Sequence, residues 1–395
     1  MRVHGLSMGK KEILILGAGN VGRGVVGGIF SRHGWLPIFY RRNTEFLQQL
    51  KETGEYTVWQ GSAPGARSEM VRDFAVVAPD ALEEQAAKTD LIAVCVYEPA
   101  IEEIGSQLAD AFSRRAAVCS EAVCNLLICM NSLQAADNLR KIIRSRLGCD
   151  SAAEEYFQRR VGLVPVLVMS GAFPAPKELD LSPFALCVTD GAYLEAERSA
   201  FCEMPDLPPE VHLVENVRAR QVRKLYLANM MHTAAAYLGE RKGYRTIGQC
   251  YSDGEVRREV TAAFQEAEAG VLAEYAFDPA EHAAWRTSIL GKMDVPVEDL
   301  TVRITSNSWK KLGRTERLLG PALLCAKHGV PYRHLTDLAA AAFTSHQQTG
   351  NCPHCFARKN GIWKAMQSVC GLTDESSRER LLQQRIAQAY FLLQA

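Results

Sequence analysis

"EILILGAGNVGRGVVGGIFSRHGWLPIFYRR", residues 12–42, decides the fold. The short apolar run Ile13–Leu16 reads as a strand, and glycines follow at 17, 19 and 22. A helix-like segment continues to about His33, and "LPIFYRR" at 36–42 reads as the next strand. Strand, glycine turn, helix, strand is the context in which a GxGxxG spacing means dinucleotide binding. Gly17 makes the tight turn, Gly19 leaves room for a pyrophosphate, and Gly22 lets helix and strand approach closely. Free backbone N–H groups at the helix start then face the phosphates. Asn20 and Val21 belong to the same cradle. Arg23 has two readings, a phosphate contact or a solvated helix residue.

The end of the second strand bears on the choice of nucleotide. An acidic residue commonly stands there, accepting from the adenosine ribose hydroxyl. This chain has Tyr40-Arg41-Arg42 instead. A carboxylate would repel a 2′-phosphate, whereas guanidiniums can hold one bidentately. Arg41 and Arg42 therefore favour NADP(H), with NAD(H) as the alternative.

Further along, "FAVVA" (74–78), "DLIAVCV" (90–96) and "AAVCS" (116–120) are candidate strands separated by helical patterns. "VGLVPVLVM" (161–169) is expected near the edge of the domain, because Pro165 argues against a regular central strand. Proline-rich stretches at 173–183 and 205–209 mark crossings or linkers. The expected fold class is α/β: a Rossmann-like dinucleotide-binding domain over 1–205 and a mainly α-helical substrate and catalytic domain over 206–395.

Composition fits two domains. The chain has 395 residues, more than one core usually supports, and 47% of them are apolar. Lys+Arg and Asp+Glu balance at 45 each, without the basic excess of a nucleic-acid binder. No apolar run is long enough to suggest a membrane span, and the N-terminal apolar segment is too short for a convincing secretory signal. Twelve cysteines scattered along the chain point to reduced thiols and a cytoplasmic location.

The second half changes character, with helical patterns at 213–239, 253–276, 318–328 and 376–394. Such a domain packed against the first would create a cleft. Within "KLYLANMMHTAAAYLG" (224–239), the polar residues Lys224, Asn229 and His232 stand out. On a regular helix His232 and Asn229 lie roughly 80° and 140° around from Lys224, sharing a broad side. Lys224 could act as general base toward an alcohol if burial or nearby positive charge lowered its pKa. Asn229 and His232 could orient the reacting oxygen. The bland reading is a surface lysine, a helix-internal asparagine and a core histidine. Arg257, Arg303, Lys310, Lys311, Arg314 and Arg317 make an anionic substrate plausible, with Arg257 the best phosphate candidate and Lys311 assigned beside it. "NCPHC" holds a CxxC pair, Cys352 and Cys355, near His346 and His354. It is read as an ordinary loop, and no metal is assigned.

Several motifs in order carry a resemblance. "LGAGNVGRG", "ENVRARQVRKLYLANMMHTAAAYLG", "FDPAEHAAWRTSILGKM" and "LGPALLCAKHG" resemble segments of the polyol-specific long-chain dehydrogenase family, closest to its members acting on mannitol 1-phosphate. The resemblance covers nearly the whole chain. It implies a metal-free, reversible oxidation of a secondary alcohol, with the substrate a polyol or a sugar phosphate. Lys224 then removes the hydroxyl proton, Asn229 positions the oxygen, and His232 binds a hydroxyl or orients the site. Asn131 matches a family asparagine and is assigned to the cofactor. The family default is a monomer or a weak homo-oligomer. Four places depart from the family pattern: Arg41, "CVYEP" (95–99), Met130, and "GLVPVLVMSG", which lacks an expected Asp and Arg. These departures keep two alternatives open, an imine-reducing or otherwise altered-substrate dehydrogenase and a non-catalytic nucleotide sensor.

Overall fold

The computed structural model describes residues 10–61, 65–148, 150–295, 298–345, 352–373 and 376–394. The chain divides into two compact units, the first ending at Arg218 and the second starting at Ala219.

Among its described residues the first unit has twelve strands: β1 Glu12–Leu16, β2 Leu36–Tyr40, β3 Tyr56–Gln60, β4 Arg67–Val71, β5 Ala75–Val77, β6 Leu91–Val94, β7 Cys124–Ile128, β8 Val161–Met169, β9 Ala172–Pro174, β10 Leu186–Val188, β11 Tyr193–Glu197 and β12 Val211–Val214. Eight of them form one sheet in the order β12-β11-β8-β7-β6-β1-β2-β5. From β5 to β8 every pairing is parallel, and the strand order reverses at β1. This is the doubly wound arrangement, in which ligands bind at the carboxyl ends of the strands where the order reverses. Both faces are covered. Leu14, Ile92, Leu126 and Phe112 pack on one, and Ile13, Ile15, Val25 and Phe39 on the other. That double burial explains the unbroken apolar runs of β1, β6 and β7.

A second sheet, β4-β3-β10-β9, lies against the glycine-rich segment after β1. A Cβ on Gly24 would stand 3.1 Å from Val188 Cγ1 and 3.2 Å from a Leu186 methyl, so the absence of a side chain lets the sheet close on it.

Two expectations are corrected. "AAVCS" does not form a strand: the helix Ile101–Val118 runs through its first half, and the strand lies later, at β7. Buried Arg115 pins that helix end, donating to the carbonyls of Thr89 (2.9 Å) and Val123 (3.0 Å) and to Asp90. The segment 161–169 is not at the edge either, since β8 has a strand on each side. Pro165 is tolerated because β8 changes partner there. Residues 161–165 pair with β7 and 166–169 with β11, so the missing N–H falls where one ladder ends and the next begins.

The second unit is helical. Gly254–Glu274 buries Val256, Val260, Ala263, Phe264, Ala267 and Val271, the spacing of one helix face. Asp253 caps it, accepting from the N–H groups of Glu255 and Val256 at 2.9 Å each. Helices Met230–Arg241, Leu319–His328 and Arg333–Phe343 pack around it. Gly270 allows a close crossing with Leu319–His328, because a Cβ there would lie 2.7 Å from Cys325 Sγ.

Candidate active site

The turn after β1 has the backbone that a dinucleotide needs. Gly17 sits at φ +108°, a left-handed conformation that favours glycine, and its N–H donates to Tyr40 O at 3.0 Å. A Cβ on Gly22 would stand 2.1 Å from Gly17 O, so only glycine lets the helix start this close to the turn. Gly19 is the opposite case. A Cβ there would meet nothing within 4 Å, leaving open space over the turn. Asn20 and Val21 are half-buried at the start of the helical run. The residues present therefore fit a pyrophosphate.

Val21–Gly27 is a π-helical turn rather than an α-helix. Its widened winding carries Arg23 inward, and that settles the two readings of this residue. Arg23 is buried, donating to Ala18 O at 3.1 Å and Phe184 O at 2.8 Å, with Phe46 and Tyr56 rings beside its guanidinium. Burial pushes its pKa down to about 10. Arg23 braces the turn from behind and is neither a phosphate ligand nor solvated.

Arg41 and Arg42 lie at the carboxyl end of β2, as the nucleotide reading requires, but in different states. Arg41 stacks over the Phe46 ring at 4.3 Å, and among the described residues no carboxylate pairs with it. Arg42 reaches Glu103 at 3.2 Å. Asn131 is exposed in the loop after β7, at the same end of the sheet. So is Tyr97, 89% exposed after β6.

In the second unit, Lys224–Asn229 forms another π-helical turn, continuous with Met230–Arg241. A π-turn bonds i to i+5, which draws Lys224 and Asn229 closer around the axis than a regular helix would. Both are half-buried amid Leu225, Tyr226, Leu227 and Met230, which are buried. Tyr226 fixes the turn: its ring occupies the space over Gly320, where a Cβ would come within 2.4 Å of it.

His232 follows, with both ring nitrogens engaged. Nδ1 faces Tyr251 Oη at 3.3 Å and Nε2 faces Asp299 Oδ2 at 3.4 Å. Asp299 also takes a forked contact from Arg303, its Nε at 2.5 Å. Burial alone would raise the Asp299 carboxyl, but the hydrogen bonds from His232 and Arg303 overcome it and hold the group far below the usual carboxylate range. The Asp299 backbone is fixed as well, its carbonyl accepting from Ile247 N–H at 2.9 Å.

Lys311 belongs to this neighbourhood. Burial, then the charges of Arg317 and Arg303, push its ammonium down to about 8. Its Nζ donates to Ser306 O. Arg257 goes elsewhere: it pairs with Asp294 at 2.6 Å and reaches Met293 O at 3.5 Å. The CxxC pair sits at the start of helix Pro353–Asn360, where Cys352 Sγ accepts from Cys355 N–H at 3.3 Å. His354 Nδ1 contacts Phe343 O at 3.1 Å, and His346 lies outside the described residues.

Tyr251 and Asp299 were not among the sequence candidates. Asp299 stands 67 positions from His232, and only its i,i+4 relation to Arg303 hints at a role.

Comparison with known proteins places this geometry. Residues 11–170 match the mannitol dehydrogenase Rossmann domain, and residues 216–389 match the mannitol dehydrogenase C-terminal domain. The chain belongs to the mannitol dehydrogenase family. Members of this family are nicotinamide-dependent oxidoreductases acting on CH–OH groups, and this chain is an enzyme of that class. Among its relatives, mannitol-1-phosphate 5-dehydrogenase of Bacillus pumilus is 27% identical over 375 residues, covering 92% of this chain and 96% of the relative. That of Bacillus licheniformis is 28% identical over 385 residues, covering 93% and 98%. In fold the chain is similar to Pseudomonas fluorescens mannitol 2-dehydrogenase, solved as a ternary complex with NAD and D-mannitol. That likeness has a TM-score of 0.77 at 13% identity, over 99% of this chain and 93% of the other. A D-sorbitol dehydrogenase gives a TM-score of 0.73 at 14% identity, over 98% and 93%. No helix among the described residues is long and apolar enough to cross a membrane.

Proposed function

We propose that this enzyme interconverts a polyol phosphate and the corresponding ketose phosphate, as between mannitol 1-phosphate and fructose 6-phosphate, with NADP(H) preferred over NAD(H). The observation that carries the reading is the Lys224–Asn229 π-turn in the same unit as a group of cations, Arg303, Lys311 and Arg317, of which Lys311 is pushed down to about 8 by burial and then by the other two charges. A dianionic substrate group would relieve the mutual repulsion of those cations. The names of the Bacillus relatives agree with a phosphorylated substrate.

When bound, the nicotinamide supplies the hydride exchange. Gly19, Asn20 and Val21 would hold the pyrophosphate on backbone N–H groups, with Gly17 and Gly22 shaping the turn beneath it; Arg41 and Arg42 would take the 2′-phosphate, and Asn131 would reach the cofactor from the same end of the sheet. Lys224 Nζ takes the hydroxyl proton during oxidation and returns it during reduction. Asn229 orients the reacting oxygen. His232, held between Tyr251 and Asp299, keeps a fixed ring orientation, and Asp299 in turn holds Arg303. Lys311 binds the phosphate group. Arg257 contributes less than its sequence position suggested, because Asp294 already neutralises it.

The test is the purified full chain with NADPH and NADH, each against fructose 6-phosphate and fructose, followed by nicotinamide absorbance. Fastest turnover with NADPH and the phosphate ester is expected. Faster turnover of unphosphorylated fructose would overturn the phosphate assignment, and tighter NADH binding would overturn the role of Arg41.

A further inference from the structure

Two cysteines meet beside the glycine turn. Cys95 follows β6 and Cys129 follows β7, and these strands pair in parallel with Val94 opposite Ile128. The next pair in that register is Cys95 opposite Cys129. The ladder continues to it, since Cys129 N–H donates to Val94 O at 3.0 Å and Cys95 N–H donates to Leu16 O at 2.7 Å. Both side chains lie on the same face of the sheet: Cys129 belongs to the apolar cluster of Val25 and Val26, and Cys95 packs against it. The Cys129 thiol is close enough to act on that of Cys95. Both are free thiols. Paired residues on neighbouring strands are about 4.8 Å apart, inside the Cα separation that a disulfide bridges. The buried thiols of Cys124 and Cys325 differ, each donating to a backbone carbonyl.

The position ties this pair to the cofactor turn. A Cβ on Gly17 would stand 2.5 Å from Cys95 O and 2.8 Å from its carbonyl carbon, so turn and strand end are in direct backbone contact. A disulfide would draw the two Cβ atoms to about 3.8 Å, closer than parallel strands hold them. That displacement passes straight into the Gly17 peptide.

We propose that Cys95 and Cys129 are a dithiol–disulfide modification site, oxidised by a low-molecular-weight disulfide, whose closure weakens nucleotide binding at the glycine turn. The effect on binding rests on the cofactor reading given above. A Cys thiolate attacks one sulfur of the oxidant and releases the other half as a thiol. The second cysteine, losing its proton, displaces the remaining half, so the protein loses two electrons and two protons while the oxidant becomes two thiols. The neighbouring Cys129 thiol, and then burial, hold the Cys95 thiol well above its ordinary pKa. Oxidation is therefore slow at neutral pH and speeds up as pH rises. Bound nucleotide should protect the pair.

The experiment treats the reduced full chain with oxidised glutathione, maps cysteines by mass spectrometry after alkylation, and titrates NADPH before and after. The expected result is one linked peptide pair joining Cys95 to Cys129 and about tenfold weaker NADPH binding, restored by dithiothreitol. Cys129→Ser should bind NADPH as the untreated protein does and ignore the oxidant. If it folds poorly, Cys95→Ser at the half-buried member gives the same readout. Alkylation of both cysteines after treatment, or a linked pair with unchanged NADPH affinity, overturns the proposal. Failure of the reduced protein to bind either nucleotide would sink the cofactor reading instead, while the peptide map would still decide the modification site.

Discussion

Two π-helical turns stand among the described residues, and the same departure from α geometry exposes different groups in each. Val21–Gly27 is buried from Gly22 onward, and what it offers a ligand is backbone. Its one charged residue, Arg23, turns inward to hold Ala18 and Phe184. Lys224–Asn229 buries Leu225, Tyr226 and Leu227 and keeps its two polar ends half-exposed. Under the proposed function, the first turn brings peptide groups to a phosphate and the second brings side chains to a reacting oxygen. A wide turn is costly, so its presence at both places argues that geometry, not helix propensity, was selected.

The sharpest way to break this comparison is to remove a polar end of the second turn. Asn229→Ala should leave the reacting oxygen without its orienting partner and lower kcat about a hundredfold or more. NADPH binding should stay intact, which a titration would check. At the first turn, Gly22→Ala forces a Cβ against Gly17 O, 2.1 Å away. A loss of about 1–3 kcal/mol in denaturant unfolding is expected, together with loss of nucleotide binding. Arg41→Ala should weaken NADPH about tenfold through one lost charged hydrogen-bonding partner while leaving NADH unchanged. The smallest effect is a pH dependence. Lys311 carries its charge below about 8 and loses it as pH rises through that value. KM for the ketose phosphate should therefore rise a few-fold above that pH, whereas KM for the unphosphorylated ketose should not.

The two turns also differ in how openly the sequence announces them. The glycine spacing between two apolar runs reports a backbone requirement directly, because Gly17 and Gly22 stand where no side chain fits. The doubly wound sheet was legible for the same reason, since strands buried on both faces are apolar throughout. The misplaced strand at 116–120 came from Ala-Ala-Val, which suits either state. Arg115 decides it through partners at 87–90 and 123 that local pattern cannot see. Pro165 was misjudged because the partner switch of β8 is a property of the sheet, not of the segment.

At the second turn, an assumed period of 3.6 residues spread Lys224 and Asn229 apart, and nothing in local composition signals a π-turn. Tyr251 and Asp299 reach His232 from separate segments, so spacing could not reveal them. Arg23, Arg41 and Arg257 make the same point. Three arginines of equal sequence appeal are respectively buried as a brace, stacked without a carboxylate, and paired with Asp294.

The most direct test of the account is a paired measurement on Lys224→Ala: the dissociation constant for NADPH and kcat with fructose 6-phosphate, both beside the unmodified chain. The account predicts an unchanged dissociation constant and a kcat lowered by about two to four orders of magnitude. A variant that turns over at the original rate would contradict the role given to Lys224 and, with it, the reading of the second π-turn.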